Sequence, residues 1–143
     1  MIIRGVEYTK EKLASMVDYA ILDPNLQEHQ IREACAIARQ YKFKGVHPNP
    51  YWVPIVAQEL EGTGIETGLV VSFPFGANPT SFKVNEAKEL VKMLNKRPGC
   101  IDMVTNIGRL KDKDYDLYTK DIAEVVKVGH NAGIEVKAIL EVA

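Results

Sequence analysis

Apolar residues along this chain follow two rhythms that take turns. In "DYAILD" (18–23), "GVHPN" (45–49), "IETGLVVSFP" (65–74), "CIDMVTN" (100–106) and "EVKAILEV" (135–142) they alternate or run almost without a break, which predicts strands. Between these lie stretches with helical spacing. "YTKEKLASMV" (8–17) predicts a short first helix, and Leu26, Ile31, Cys35, Ala38 and Tyr41 mark a second. "YWVPIVAQELEGT" (51–63), "SFKVNEAKELVKMLNK" (81–96) and "DLYTKDIAEVVKVGHNAG" (116–133) predict three more.

Local punctuation agrees with this reading. Thr9 is a suitable N-cap, and Pro24 closes the first strand. Asn25 with Glu28 three positions on has the form of a capping box. Pro54 is tolerable in a first turn, Asn78-Pro79 suits a helix start, and Gly133 suits a helix stop. The predicted order is a helix, four strand–helix pairs and a fifth strand. Strands alternating with crossover helices imply a parallel α/β sheet. An open doubly wound sheet and a (β/α)8 barrel both satisfy that order, and a complete barrel needs eight strands and about 250 residues. The last strand, Val136–Val142, is apolar and reaches the end of the 143 residues. A core strand there leaves an edge and a face in need of a partner, and a barrel would draw five of its strands from the single domain 1–143.

The pleat of a strand sends alternate side chains to opposite faces. Ile101 and Met103 therefore oppose Asp102, Val104 and Asn106, and Val136, Ala138 and Leu140 oppose Lys137, Ile139 and Glu141. His47 shares a face with Asn49, and Asp18 shares one with Ala20 and Leu22. In a barrel the all-apolar set packs on the helices. The inward set then contains Asp18, His47, Asn49, Asp102, Asn106, Lys137 and Glu141. Unpaired buried charge costs several kcal/mol, so these groups must pair or titrate. Titratable groups held on rigid strands are what acid–base chemistry requires. His47, placed before a proline, also suits a core histidine with a backbone partner.

Composition narrows the function without naming it. With 46% hydrophobic and 26% charged residues and a formal net charge of −1, the chain has the balance of an ordinary globular domain. No Lys/Arg cluster makes a field for nucleic acid or anionic lipid. The mixed "KDKDYD" run (111–116) predicts a solvated loop entering a helix. No apolar stretch approaches the ~20 residues of a membrane span. The opening "MIIRGVEYTKEK" lacks the apolar core of a signal peptide, so the cytoplasm is the expected compartment. Cys35 lies on an apolar helix face, and Cys100 has no histidine beside it in sequence, so neither predicts a metal site or a reactive thiol. His29 and His130 fall on polar helix surfaces, and the glycine in "SFPFGAN" does not make a phosphate loop.

Four blocks carry a family resemblance. "DYAILDPNLQEHQIREACAIARQYKFKGVHPNPYWVPIVAQEL", "VVSFPFGANPTSFKVNEAKE", "IDMVTNIGRLKDKDYD" and "GIEVKAILE" resemble, in order, successive blocks of deoxyribose-phosphate aldolase. The resemblance implies a (β/α)8 barrel of the TIM type, with this chain supplying the N-terminal five strands. It implies class I aldol chemistry without a metal or other cofactor, in which 2-deoxy-D-ribose 5-phosphate is cleaved to D-glyceraldehyde 3-phosphate and acetaldehyde. Asp102 and Lys137 become the expected catalytic residues, with Asp18, His47 and Asn49 as the expected substrate-binding set. The implied partners are a small phosphorylated sugar and a second copy of the chain in a homodimer, with no nucleic acid or membrane. The Schiff-base lysine is expected on a sixth strand beyond residue 143, and a second essential lysine on a seventh.

The chain departs from the family pattern at three places. Tyr19-Ala20 stands where His-Thr is usual, His47-Pro48 where cysteine is common, and Ser72 where glycine precedes Phe73. These differences bear on the substrate more than on the reaction class. They keep open a different Schiff-base aldolase of the same barrel, and a non-catalytic barrel piece that needs a partner chain.

Overall fold

The order of strands in the sheet separates the two architectures that the pattern allows. The computed structural model describes residues 2, 3 and 5–141. A two-residue hairpin comes first, β1 (Ile2–Ile3) antiparallel to β2 (Val6–Glu7), turned by Gly5 at φ 81°. Then follow α1 (Lys10–Ala14), β3 (Asp18–Ile21), α2 (Glu28–Tyr41) and β4 (Gly45–Pro48). A 3-10 turn, Pro50–Trp52, leads into α3 (Val53–Glu59), β5 (Glu66–Val71), α4 (Thr80–Leu94) and β6 (Gly99–Val104). The short α5 (Ile107–Lys111), α6 (Tyr115–Asn131) and β7 (Glu135–Ile139) complete the order.

Strands β3 to β7 form one parallel sheet in sequence order, β3-β4-β5-β6-β7. A doubly wound sheet reverses its strand order at a switch point. This sheet does not, so its crossover helices lie on one face. Ile31, Cys35 and Ala38 of α2 pack with Val46 of β4, and Ala87, Leu90 and Leu94 of α4 pack with Leu69, Ile101 and Met103. The sheet is also curled. Lys137 Nζ on β7 lies 2.7 Å from Asp18 Oδ2 on β3. In a flat sheet, four strand spacings of about 4.8 Å would hold those strands roughly 19 Å apart. The fold is a partial (β/α) barrel of five strands.

Most sequence signals sit where expected. Thr9 accepts from Lys12 N–H at 3.1 Å, Pro54 lies in the first turn of α3, and Gly133 at φ 72° follows α6. Other signals need correction. Helix α2 begins after Gln27, whose N–H donates to Gln30 Oε1 at 2.9 Å, while the Asn25 N–H turns back to Asp23 Oδ1. Pro79 occupies the cap of α4 rather than its first turn. The hairpin and α5 were not expected. β7 ends at Ile139, and Val142 lies outside the described residues. On the outer face of β7, Val136 packs on the core that includes α6 residues, whereas Ala138 and Leu140 are exposed.

Two features brace the C-terminal end of β6. Gly76, at φ 63°, lets the loop after β5 approach Thr105, since a Cβ there would lie 2.1 Å from the Thr105 carbonyl oxygen. Lys83 on α4 is fully buried; its ammonium donates to Asp121 Oδ2 on α6 at 2.6 Å and to the Val104 carbonyl at 3.0 Å. Among the described residues no helix is long and apolar enough to cross a membrane.

Candidate active site

Asp18, His47, Asp102 and Lys137 meet on the inner face of the sheet. They come from four different strands, β3, β4, β6 and β7. Asp102 and Lys137 are register partners across the β6–β7 pair, so strand parity alone puts them on one side. Lys137 Nζ is 2.7 Å from Asp18 Oδ2 and 3.4 Å from Asp102 Oδ1. His47 closes the ring, with Nε2 3.3 Å from Asp18 Oδ1 and Nδ1 2.9 Å from Asp102 Oδ2. Those His47 distances are charge-pair distances; neither ring nitrogen has an aligned hydrogen bond.

The electrostatics follow from burial and from the neighbours of each group. For both carboxyls burial is the largest single influence and pushes the pKa up. It is outweighed in each. The Lys137 hydrogen bond and the His47 ring hold Asp18 below the usual carboxylate range, and His47 and Lys137 do the same for Asp102. Burial pulls the Lys137 amine down, but the Asp18 hydrogen bond and the surrounding negative charge raise it above the ordinary lysine value. At neutral pH Lys137 is a cation and both aspartates are anions. Cys100 lies behind the ring with Sγ 3.9 Å from Asp102 Oδ1, and burial beside that carboxylate pushes its thiol up to about 12.

His47, Cys100 and Asp102 offer ligand atoms within 4.8 Å of one another, a spacing that could hold a metal ion. The donor set fits one poorly. The thiol is held protonated, and the Lys137 ammonium beside Asp102 already supplies the positive charge.

The other inward candidates are not brought to the ring. Asn49 Nδ2 donates to the Leu22 carbonyl at 3.1 Å, tying the end of β4 to the end of β3. Asn106 Oδ1 accepts from Arg109 N–H and caps α5. Glu141 lies past the end of β7 and is exposed. Cys35 is buried in the helix layer, and His29 and His130 are exposed, as the pattern predicts. The sequence reading missed the buried Lys83–Asp121 pair. Its signal was present: Lys83 shares helical spacing with the buried Ala87, Leu90 and Leu94.

A curled α/β sheet in sequence order, with an ammonium between two carboxylates on its inner face, defines an incomplete (β/α) barrel with an ionised interior. Sequence comparison then finds the chain similar to deoxyribose-phosphate aldolases. It is 40% identical over 130 residues to that aldolase of Clostridium tetani, covering 91% of this chain and 58% of the relative. It is 42% identical to the one from Lactiplantibacillus plantarum, covering 92% and 60%. The aldolase of Thermococcus kodakarensis is 41% identical, with 92% and 58% covered. The chain thus spans somewhat under two thirds of the length of these relatives. Among solved structures, the tetrameric deoxyribose phosphate aldolase of Aeropyrum pernix superposes with a TM-score of 0.82 at 25% identity, covering 93% of this chain and 54% of that one. A Coccidioides immitis structure assigned to the same aldolase superposes with a TM-score of 0.86 at 30% identity, covering 94% and 51%. No family model matches the chain.

Proposed function

We propose that this chain forms the first five strands of a class I aldolase acting on 2-deoxy-D-ribose 5-phosphate, giving D-glyceraldehyde 3-phosphate and acetaldehyde. The observation that carries the reading is the Asp18–Lys137–Asp102–His47 ring. In Schiff-base chemistry an amine attacks a carbonyl carbon, water leaves and an iminium forms, and each step moves a proton. Asp102, ionised and 16% exposed, is a base that can take a proton from carbon or hydroxyl and return it. Lys137 is not the nucleophile in this reading, because an amine attacks only when neutral and this one is held charged. It is the cation that would depress the pKa of a neighbouring amine. That amine is the lysine expected beyond residue 143. Asp18, at the outer edge of the ring and more exposed, would meet the polar part of the substrate, with Asn49 nearer the ends of the strands. No metal or other cofactor enters this scheme.

The edge of β7 away from β6, unpaired among the described residues, and the exposed Ala138 and Leu140 support a second requirement: more strands, or a second copy, must cover β7. We assign the protein to a homo-oligomer, a dimer in the simplest case, in the cytoplasm. The test is borohydride trapping with acetaldehyde followed by mass mapping. The 143-residue chain should give no adduct, and its longer reading frame should give one beyond residue 143. An adduct on Lys137 would overturn the role assigned to it.

A further inference from the structure

Within the ring, His47 is the member that solvent does not reach. Its side chain is 3% exposed, against 16% for Asp102, 27% for Lys137 and 33% for Asp18. A substrate-contacting role does not suit a side chain so enclosed. Its surroundings suit another. Strand β4 runs in register with β5, Val46 opposite Thr67, which brings His47 beside Gly68 one step on. A Cβ at residue 68 would lie 2.0 Å from His47 Nδ1 and 2.3 Å from Cγ. A Cβ at Gly45, on the other side, would lie 3.0 Å from Nε2 and 3.4 Å from Asp18 Oδ1. The imidazole therefore occupies a slot left by missing side chains on its own strand and its neighbour.

We propose that His47 is a positioning residue, bracing the Asp102 carboxylate against Asp18, and that the slot it needs exists because residue 68 is glycine. The inference rests on the reading of Asp102 as the proton carrier. A neutral imidazole has one donor and one acceptor, so either tautomer leaves a ring lone pair facing a carboxylate. In place, the ring sets Nε2 3.3 Å from Asp18 Oδ1 and Nδ1 2.9 Å from Asp102 Oδ2, one nitrogen to each carboxylate. The groups that face it are Asp18 from β3, Cys100 and Asp102 from β6 and Lys137 from β7; β5 presents Gly68 there, and Glu66 stands two residues earlier on that strand. The ring joins carboxylates on two non-adjacent strands, and so sets the spacing of the two groups the chemistry relies on.

The experiment compares the parent chain with H47A, G68A and H47A/G68A. It follows the side-chain carboxyl carbons of Asp18 and Asp102 by NMR across acid pH, together with the thermal midpoint. H47A should move the Asp102 titration to higher pH, because a group that holds it down is gone. G68A should do the same with His47 still in the chain, and should lower the thermal midpoint. The double variant should regain thermal stability over G68A, its new methyl filling the vacated slot, while Asp102 stays shifted. Unchanged Asp102 titration in both single variants, or a G68A variant as stable as the parent, would overturn the proposal. Should H47A fail to fold, D102N reads the same contact from the other side. The His47 Nδ1 signal should move more than Nε2, and neither moving overturns the proposal. None of these readouts uses a substrate, so a failed aldehyde trap would refute the aldolase reading and leave the brace standing.

Discussion

Replacing Lys83 with methionine should be among the most damaging single changes available in this chain. Lys83→Met keeps most of the aliphatic stem and removes only the charged head. Asp121 is then left 3% exposed with the Thr80 hydroxyl, 2.8 Å from Oδ1, as its remaining donor, and the Val104 carbonyl loses its side-chain partner. Removing one member of a buried ion pair costs about 3–5 kcal/mol. Small domains have about 5–15 kcal/mol in all, so the loss is at least a fifth of the total. Replacing both partners, as in Lys83→Met with Asp121→Leu, leaves no uncompensated charge and should recover most of the deficit, since apolar substitutes for buried pairs are often neutral. Urea unfolding followed by circular dichroism measures both variants. A K83M variant within about 1 kcal/mol of the parent at an unchanged m-value, or a double variant as unstable as K83M, would refute the pairing described.

Two further outcomes follow from the ring and its neighbour. Asp18 and Asp102 titrate below their unfolded value of about 3.9, so their stabilisation is present above that pH and lost as pH falls through the lower folded values. Lys137 titrates above its unfolded value of about 10.4, so its stabilisation is present below that pH and lost as pH rises through the higher folded value. Urea midpoints should fall at both extremes, with D102N flattening the acid limb and K137M the alkaline one; limbs unchanged in those variants would refute the assignment. Cys100 and Cys35 should both resist iodoacetamide in the folded chain at pH 8 and react in urea, since burial pushes their thiols up to about 12 and about 11. Rapid native labelling of Cys100 would show that the inner face is more open than described.

Much of this was legible in the sequence, for identifiable reasons. Long elements announce themselves through period, so all five strands of the sheet and the four helices that pack on it fall on their predicted stretches, with β6, α4 and α6 each starting one residue earlier. Parity is equally robust: with side chains alternating strictly, Asp102 and Lys137 had to share a face once both strands were placed. Parity has no information about strand ends. Asn106 and Glu141 satisfied the alternation, yet they lie where β6 and β7 have stopped, and one became a helix cap. The two-residue strands β1 and β2 are too short for any period to register, and α5 offers only Ile107 and Leu110 as apolar positions. The His47 slot was invisible for another reason. It depends on Gly68, a residue 21 positions away by number, and only the register of β4 with β5 brings the two together. That His47 lies between both aspartates is a fact of depth that alternation cannot supply.

The sequential strand order has a consequence for how the chain is made. Every strand of the sheet except the first pairs with the one synthesised just before it, so each new unit leaving the ribosome finds its neighbour already present. Growth of this kind accumulates short-range contacts and keeps the entropy of closing each successive loop small. The Lys137–Asp18 bond is different, joining residues 119 apart. It can form only after all five strands are in place and bent toward one another. It is expected to appear in the slowest phase of refolding, after the helical signal has saturated, and so to report when a ribbon of strands acquires an inside.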